Sequence, residues 1–193
     1  EAVGYYSTSN LGTGVVFSDE LNSFIPSEQP QKIFGGEVAI DYALPSNKLL
    51  IGTSYSYVEG LKNPNDDENN LSYVGGDVIS APKLTAYVTW KPTEQFNTSL
   101  NVMSLGDRNR FSPFQDGEGN YAFRHTEFPV NGYTLVNLTA TYQIKSNIDV
   151  FLGINNLLNE YYLPARSQWA APLRSFTTAG EGANARLGVT YNF

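Results

Sequence analysis

The sequence predicts an all-β fold, an antiparallel up-and-down β-barrel of the membrane-spanning kind. Three observations predict it. Almost every periodic segment alternates with period two, the spacing of a β-strand. The connections alternate strictly, long then short, along the chain. The alternation also sorts polar from apolar side chains, so each strand has two unlike faces. No stretch approaches the roughly 18 apolar residues of a transmembrane helix. Mean hydropathy is mildly negative, but that test is blind to membrane strands, whose two faces average out.

The elements follow in order. The opening segment 2–17 is β-rich and reads as one strand. Phe34, Gly36, Val38, Ile40 and Tyr42 then alternate with Ile33, Gly35, Glu37, Ala39 and Asp41. Residues 48–58 form a less regular partner. Leu84, Ala86, Val88 and Trp90 alternate with Thr85, Tyr87, Thr89 and Lys91, and Phe96, Thr98, Leu100 and Val102 with Asn97, Ser99 and Asn101. A long strand covers 133–144, another 148–155, and a last one 185–193. That makes about eight strands, with no convincing helical stretch.

Three connections are tight: 44–47, 92–95 and 145–147. Four are long: roughly 18–31, 60–82, 107–131 and 160–184. Loops above about 12–15 residues are uncommon in compact domains. Here all four fall at one end of a meander, the pattern of outer-membrane barrels with short turns on one side and long loops outside. Glu37, Asp41, Asn97, Asn101, Asn137, Gln143, Asp149, Asn155, Arg186 and Asn192 share the polar face, which suits a wet interior. It suits the solvent side of a sandwich equally. Tyr42, Trp90, Phe96, Tyr142 and Phe193 cluster beside the short turns, where an interfacial aromatic girdle would lie. The plain alternative is that Tyr and Trp are good strand formers.

Composition narrows function. The 193 residues contain no Cys, which excludes disulfides, thiol catalysis and thiolate metal sites. One histidine, His125, cannot furnish a multi-His metal centre. The net charge of −7 argues against a nucleic-acid partner. The chain begins with Glu1 and shows no signal-peptide pattern, so it reads as processed or as a piece of something longer.

The stretch "YTLVNLTATYQIKSNIDVFLGINNLLNEYY" (133–162) and the closing "LGVTYNF" (187–193) resemble the C-terminal end of the TonB-dependent outer-membrane receptors. Gly153, Asn155, Asn156, Leu157, Leu158, Asn159, Tyr161 and Tyr162 carry the likeness most directly. Segments 33–60 and 80–92 resemble the family's paired strands upstream. The resemblance implies that residues 1–193 are the last part of a 22-stranded barrel, without its plug domain, its TonB-contacting segment and its first strands. It implies outer-membrane uptake of a ferric siderophore or similar scarce nutrient in a Gram-negative bacterium. No cofactor is implied; the iron chelate is cargo. Outer-membrane lipid and lipopolysaccharide are implied neighbours, and the TonB complex a partner only through the missing N-terminal part. The terminal aromatic resembles the signal read by the outer-membrane assembly machinery, which implies an authentic C-terminus.

For the ligand, the family uses external loops rich in Arg and aromatics. Arg can offer charge, hydrogen bonds and stacking to an anionic chelate. Five of the six Arg residues fall in or beside the last two long loops, with Phe111, Phe114, Phe123, Phe128 and Phe176 nearby. The candidate ligand-binding residues are Arg108, Arg110, Tyr121, Arg124, His125, Tyr161, Tyr162, Arg166, Trp169 and Arg174. The plain alternative pairs each Arg with a loop acid or a lipopolysaccharide phosphate. The segment "NPNDDENN" (63–70) has oxygen ligands for Ca²⁺ but lacks the spacing and Gly of an EF-hand loop, so it reads as a solvated tip. His125 with Glu127 suggests acid–base chemistry, yet no nucleophile context or phosphate loop accompanies them. The protein is therefore expected not to be an enzyme. Two other architectures stand beside this reading: a self-contained eight-stranded outer-membrane barrel with a structural or adhesive role, and a soluble β-sandwich binding module.

Overall fold

In a computed structural model, the described residues are 1–10, 13–28, 30–46, 48–62, 72–75, 79–108, 114–115, 121–122, 130–170 and 178–193. In chain order the strands are β1 (Ala2–Ser9), β2 (Thr13–Ser18), β3 (Ser23–Glu28), β4 (Gln31–Ala43), β5 (Leu49–Lys62), β6 (Ser72–Tyr73) and β7 (Lys83–Trp90). They continue as β8 (Phe96–Leu105), β9 (Phe114–Gln115), β10 (Tyr121–Ala122), β11 (Tyr133–Lys145), β12 (Ile148–Asn155) and β13 (Asn184–Tyr191). One short helix, α1 (Ala165–Ala170), lies between β12 and β13.

Eight strands form one antiparallel meander in the order β1-β4-β5-β7-β8-β11-β12-β13, with β6 attached to β5. Each neighbour in space is the next long strand in sequence, following the general tendency of consecutive strands to pair. The register keeps the two faces distinct. Asp41 opposes Gly52, Gly52 opposes Tyr87, Tyr87 opposes Asn101, and Asn101 opposes Asn137. One residue on, Tyr42, Ile51, Val88, Leu100, Leu138 and Ile154 form an apolar row. A one-residue slip anywhere would carry a whole strand's apolar set to the polar face.

The apolar face is bare. Ile40, Tyr42, Leu187, Val189 and Tyr191 are all exposed. The accessible surface is 13134 Å², against about 9,100 Å² for a globular monomer of this mass by the usual size scaling. Burial of apolar side chains therefore does not hold this sheet together; the backbone ladders do. At the short-turn end, Trp90 meets Phe96 edge-on at 6.3 Å, and Phe96 lies 6.4 Å from Tyr142. Three of the five expected aromatics are thus contiguous, while Phe193 meets Tyr191 edge-on at 4.9 Å.

Three expectations are corrected. Segment 2–17 is not one strand. The ladder of β1 with β4 ends where Ser9 meets Gln31, and β2 turns back on β3 as a separate hairpin. Asn22, at φ 46°, helps close that turn, a conformation Asn tolerates better than most residues. Second, the last long connection is not free of helix. The amides of Ser167 and Gln168 donate to the Pro164 carbonyl and start α1. Six residues are too few for helical periodicity to show in a sequence. Third, among the described residues no ladder joins the first strand of the meander to the last. β1 and β13 lie at opposite ends of the sheet path, which contradicts the self-contained eight-stranded barrel.

Candidate functional site: the rim at the long-loop end

The described roots of the long connections meet at the end of the sheet away from the short turns. The first cluster is built on β5. Glu59 follows the register row of Phe34, so it sits at an apolar-face position. It is nevertheless 2% exposed, and Arg108, just past β8, is 4% exposed. Arg108 Nη2 donates to Glu59 Oε1 at 2.9 Å and to the Val74 carbonyl at 2.7 Å. Glu59 Oε1 also accepts from the Gly60 amide at 3.0 Å, and Oε2 from the Tyr57 hydroxyl at 3.3 Å. The carboxylate is thereby compensated on both oxygens, as a buried charge requires. Gly60 is needed here. A Cβ would run into Ile79 Cδ1 and Val74, two of the few buried apolar residues among the described residues.

Arg108 is also held by its backbone. It exchanges two hydrogen bonds of 2.8 Å with Val130, an isolated antiparallel bridge across the base of the third long connection. Next to this bridge, the Gly132 amide donates to Asp107 Oδ1 at 2.6 Å.

The second cluster uses the asparagines of the motif 153–162. Asn156 is 3% exposed with φ at 49°. Its Nδ2 donates to the carbonyls of Glu160 and Glu181, at 2.8 and 2.9 Å, and its Oδ1 accepts from the Glu160 amide at 2.8 Å. Its own amide donates to Asn137 Oδ1. Asn159, at φ 52°, accepts from the Ala183 amide. The Gly180 amide donates to the Tyr162 carbonyl. These bonds zip the two legs of the last long connection together. A Cβ at Gly180 would enter the Tyr162 ring, so the glycine lets the two legs close against that ring.

Tyr162 in turn lies 4.5 Å from Tyr133, ring to ring, at 32°. Beside this pair is a cavity of about 190 Å³, lined by Tyr133, Tyr161, Tyr162, Leu163, Gln168 and the Asn131–Gly132 backbone. A larger, shallower recess of about 410 Å³ shares Gly132 and Tyr133 and reaches Asp107 and Glu160.

The sequence candidates distribute as follows. Tyr161 and Tyr162 line the smaller cavity. Tyr161 is 79% exposed. Arg166 is exposed on α1, two residues before Gln168. Arg108 is engaged inside the Glu59 cluster, with its guanidinium turned to the wall rather than to solvent. Trp169 lies in α1 and Tyr121 in the two-residue ladder of β10 with β9; their side chains, and all of Arg110, Arg124, His125 and Arg174, are outside the described residues. Segment 63–70 is outside them too. No group of three or more His, Cys, Asp or Glu that could hold a metal ion occurs among the described residues. Glu59, Tyr133 and Gln168 belong to the rim but were not among the candidates. Glu59 had a signal, a charge at an apolar-face position of its strand. Gln168 had none.

This sheet, with its long-loop rim, has known counterparts. Residues 3–157 match the family described as TonB dependent receptor-like, beta-barrel; the chain belongs to the β-barrel family of the TonB-dependent receptors. The ferric aerobactin receptor of Escherichia coli is 27% identical over 175 residues, covering 90% of this chain and 20% of the receptor. The chain thus spans about a fifth of the length of the curated relatives it matches. In fold it is similar to the copper transporter OprC, with a TM-score of 0.69 at 17% identity, covering 100% of this chain and 27% of that one. The ferripyoverdine receptor of the Pseudomonas aeruginosa outer membrane, solved with ferripyoverdine bound, gives a TM-score of 0.69 at 13% identity, covering 100% of this chain and 24% of that one.

Proposed function

We propose that this chain is the C-terminal part of the barrel wall of an outer-membrane receptor that takes up a ferric siderophore or similar scarce nutrient with TonB-derived energy. The relation to the ferric aerobactin receptor over nine-tenths of the chain is the observation that carries this reading. The physics of the sheet supports the membrane setting. A face carrying exposed Val, Leu, Ile and Tyr suits lipid, and the opposite face suits water. Strands of 13 and 14 residues run about 43–46 Å. Tilted by about 40°, they exceed the roughly 25 Å apolar band, so the rim described above would stand clear of the membrane. Lipid and lipopolysaccharide would surround the wall, and the TonB complex would act through parts of the receptor beyond this chain.

At that rim the Tyr133–Tyr162 pair, the exposed Tyr161 and Arg166 offer stacking and positive charge to an anionic chelate. Arg110, Tyr121, Arg124, His125, Trp169 and Arg174 belong to the same proposed capturing surface; Arg108 would act from beneath it through Glu59 and Val130. The test is binding by the full receptor of a small panel: ferric aerobactin, ferripyoverdine and a copper salt. Saturable binding of a ferric chelate, weakened by Tyr162→Ala and Arg166→Ala, is expected. Binding of copper alone, or of nothing in the panel, would overturn the siderophore reading.

A further inference from the structure

The hydrogen bonds at the rim form a continuous path between three long connections. It starts in the second one, at the Val74 carbonyl, which accepts from Arg108 Nη2. Arg108 then exchanges backbone bonds with Val130 across the third. The next residue, Asn131, is gripped by a side chain from the last. Its amide donates to Gln168 Oε1 at 2.7 Å, and its carbonyl accepts from Gln168 Nε2 at 2.9 Å. The same Nε2 donates to the Leu163 carbonyl at 2.8 Å. A primary amide has one acceptor and two donor hydrogens. Gln168 uses all three functions, and two of them copy the paired bonds of a β-bridge onto the Asn131 backbone.

We propose that Gln168 is the positioning residue of the rim, the staple that couples the described roots of the second, third and last long connections into one cooperative unit. Gln168 is on α1, two residues from Arg166, and it lines the cavity beside Tyr133 and Tyr162. Loosening it frees the helix that carries Arg166, and it also frees the bridge residue Val130 that holds Arg108. The coupling needs no ligand; its consequence for ligand capture rests on the receptor reading above.

The experiment is amide hydrogen exchange on the full receptor in detergent micelles, comparing the parent with Gln168→Ala. Retained fast migration on unheated gels confirms an intact barrel. The Gln168 side chain bonds to Asn131 and Leu163 and not to Val130 or Arg108, so a local contact predicts faster exchange at Asn131 alone. Coupling predicts exchange at the Val130 and Arg108 amides faster by about tenfold as well. Gln168→Glu keeps Oε1 for the Asn131 amide but removes both donated bonds, and should loosen the same amides. Unchanged exchange at Val130 and Arg108 in both variants would overturn the proposal. The readout contains no ligand, so its outcome is separate from whether the receptor binds a ferric chelate.

Discussion

Arg108 and Glu59, 49 residues apart in sequence, form a buried ion pair 2.9 Å long at the long-loop end of the sheet. The pair ties four stretches of chain together, because Arg108 also holds the Val74 carbonyl and the Val130 backbone. Arg108 is therefore part of the scaffold under the rim. Removing one partner leaves the other charge buried and unpaired. Arg108→Ala should destabilise the receptor by about 3–5 kcal/mol, whereas Glu59→Leu combined with Arg108→Leu should cost much less. Denaturant titration of the full receptor in micelles, arranged as a double-mutant cycle, checks this. Equal cost for the single and double variants would refute it.

Asn156 combines a left-handed backbone with three side-chain hydrogen bonds. Asn156→Ala should lose about 1 kcal/mol for each bond, and about 1–2 kcal/mol more for the unfavourable backbone region. Asn156→Gly should recover the backbone part only. Unfolding midpoints of the three proteins measure the split; an Ala variant as stable as the Gly variant would remove the conformational share.

The Tyr133–Tyr162 contact should be worth about 0.5–1.5 kcal/mol beyond area burial. A cycle of Tyr133→Leu and Tyr162→Leu reads that coupling directly. Gly180→Val should mimic Tyr162→Leu, because the added side chain needs the space of the ring. Additive effects in the cycle would show that the rings do not support each other.

The apolar face makes a depth-dependent prediction. Leu100→Arg, mid-strand in the row of Val88 and Leu138, should cost about 2–4 kcal/mol in a bilayer. Trp90→Arg, at the aromatic band, should cost only about 0–1 kcal/mol. Thr141→Arg on the polar face should be tolerated. Refolding titrations into vesicles give all three values. A soluble sandwich would show no such gradient with distance from the short turns.

The sheet path ends at β1 and β13, whose outer edges carry no further strand of the ladder among the described residues. Open edges of this length invite pairing between chains. Residues 1–193 produced alone should associate, and should not form a discrete, heat-modifiable barrel in micelles. A monomeric, fast-migrating band would contradict this.

The sequence by itself determined the strands of the meander, their two faces and the end at which the long connections lie. Those features are local. A period of two reports which side chains share a face, and turn residues report where the chain reverses, so "ARLGVTYNF" could be read without its neighbours. Asn156 was legible as part of a motif, though not as the residue that joins Glu160 to Glu181. Tertiary structure alone decided the rim. The split of 2–17 into a sheet strand and a hairpin depended on where β4 stops pairing. α1 depended on docking against Asn131 through Gln168, since six residues do not hold a helix by propensity. Arg108 looked like an external charge because its partner lies across the sheet. Whether a guanidinium meets solvent or a carboxylate is settled by burial and distance between remote segments, and neither is written in the local order of residues.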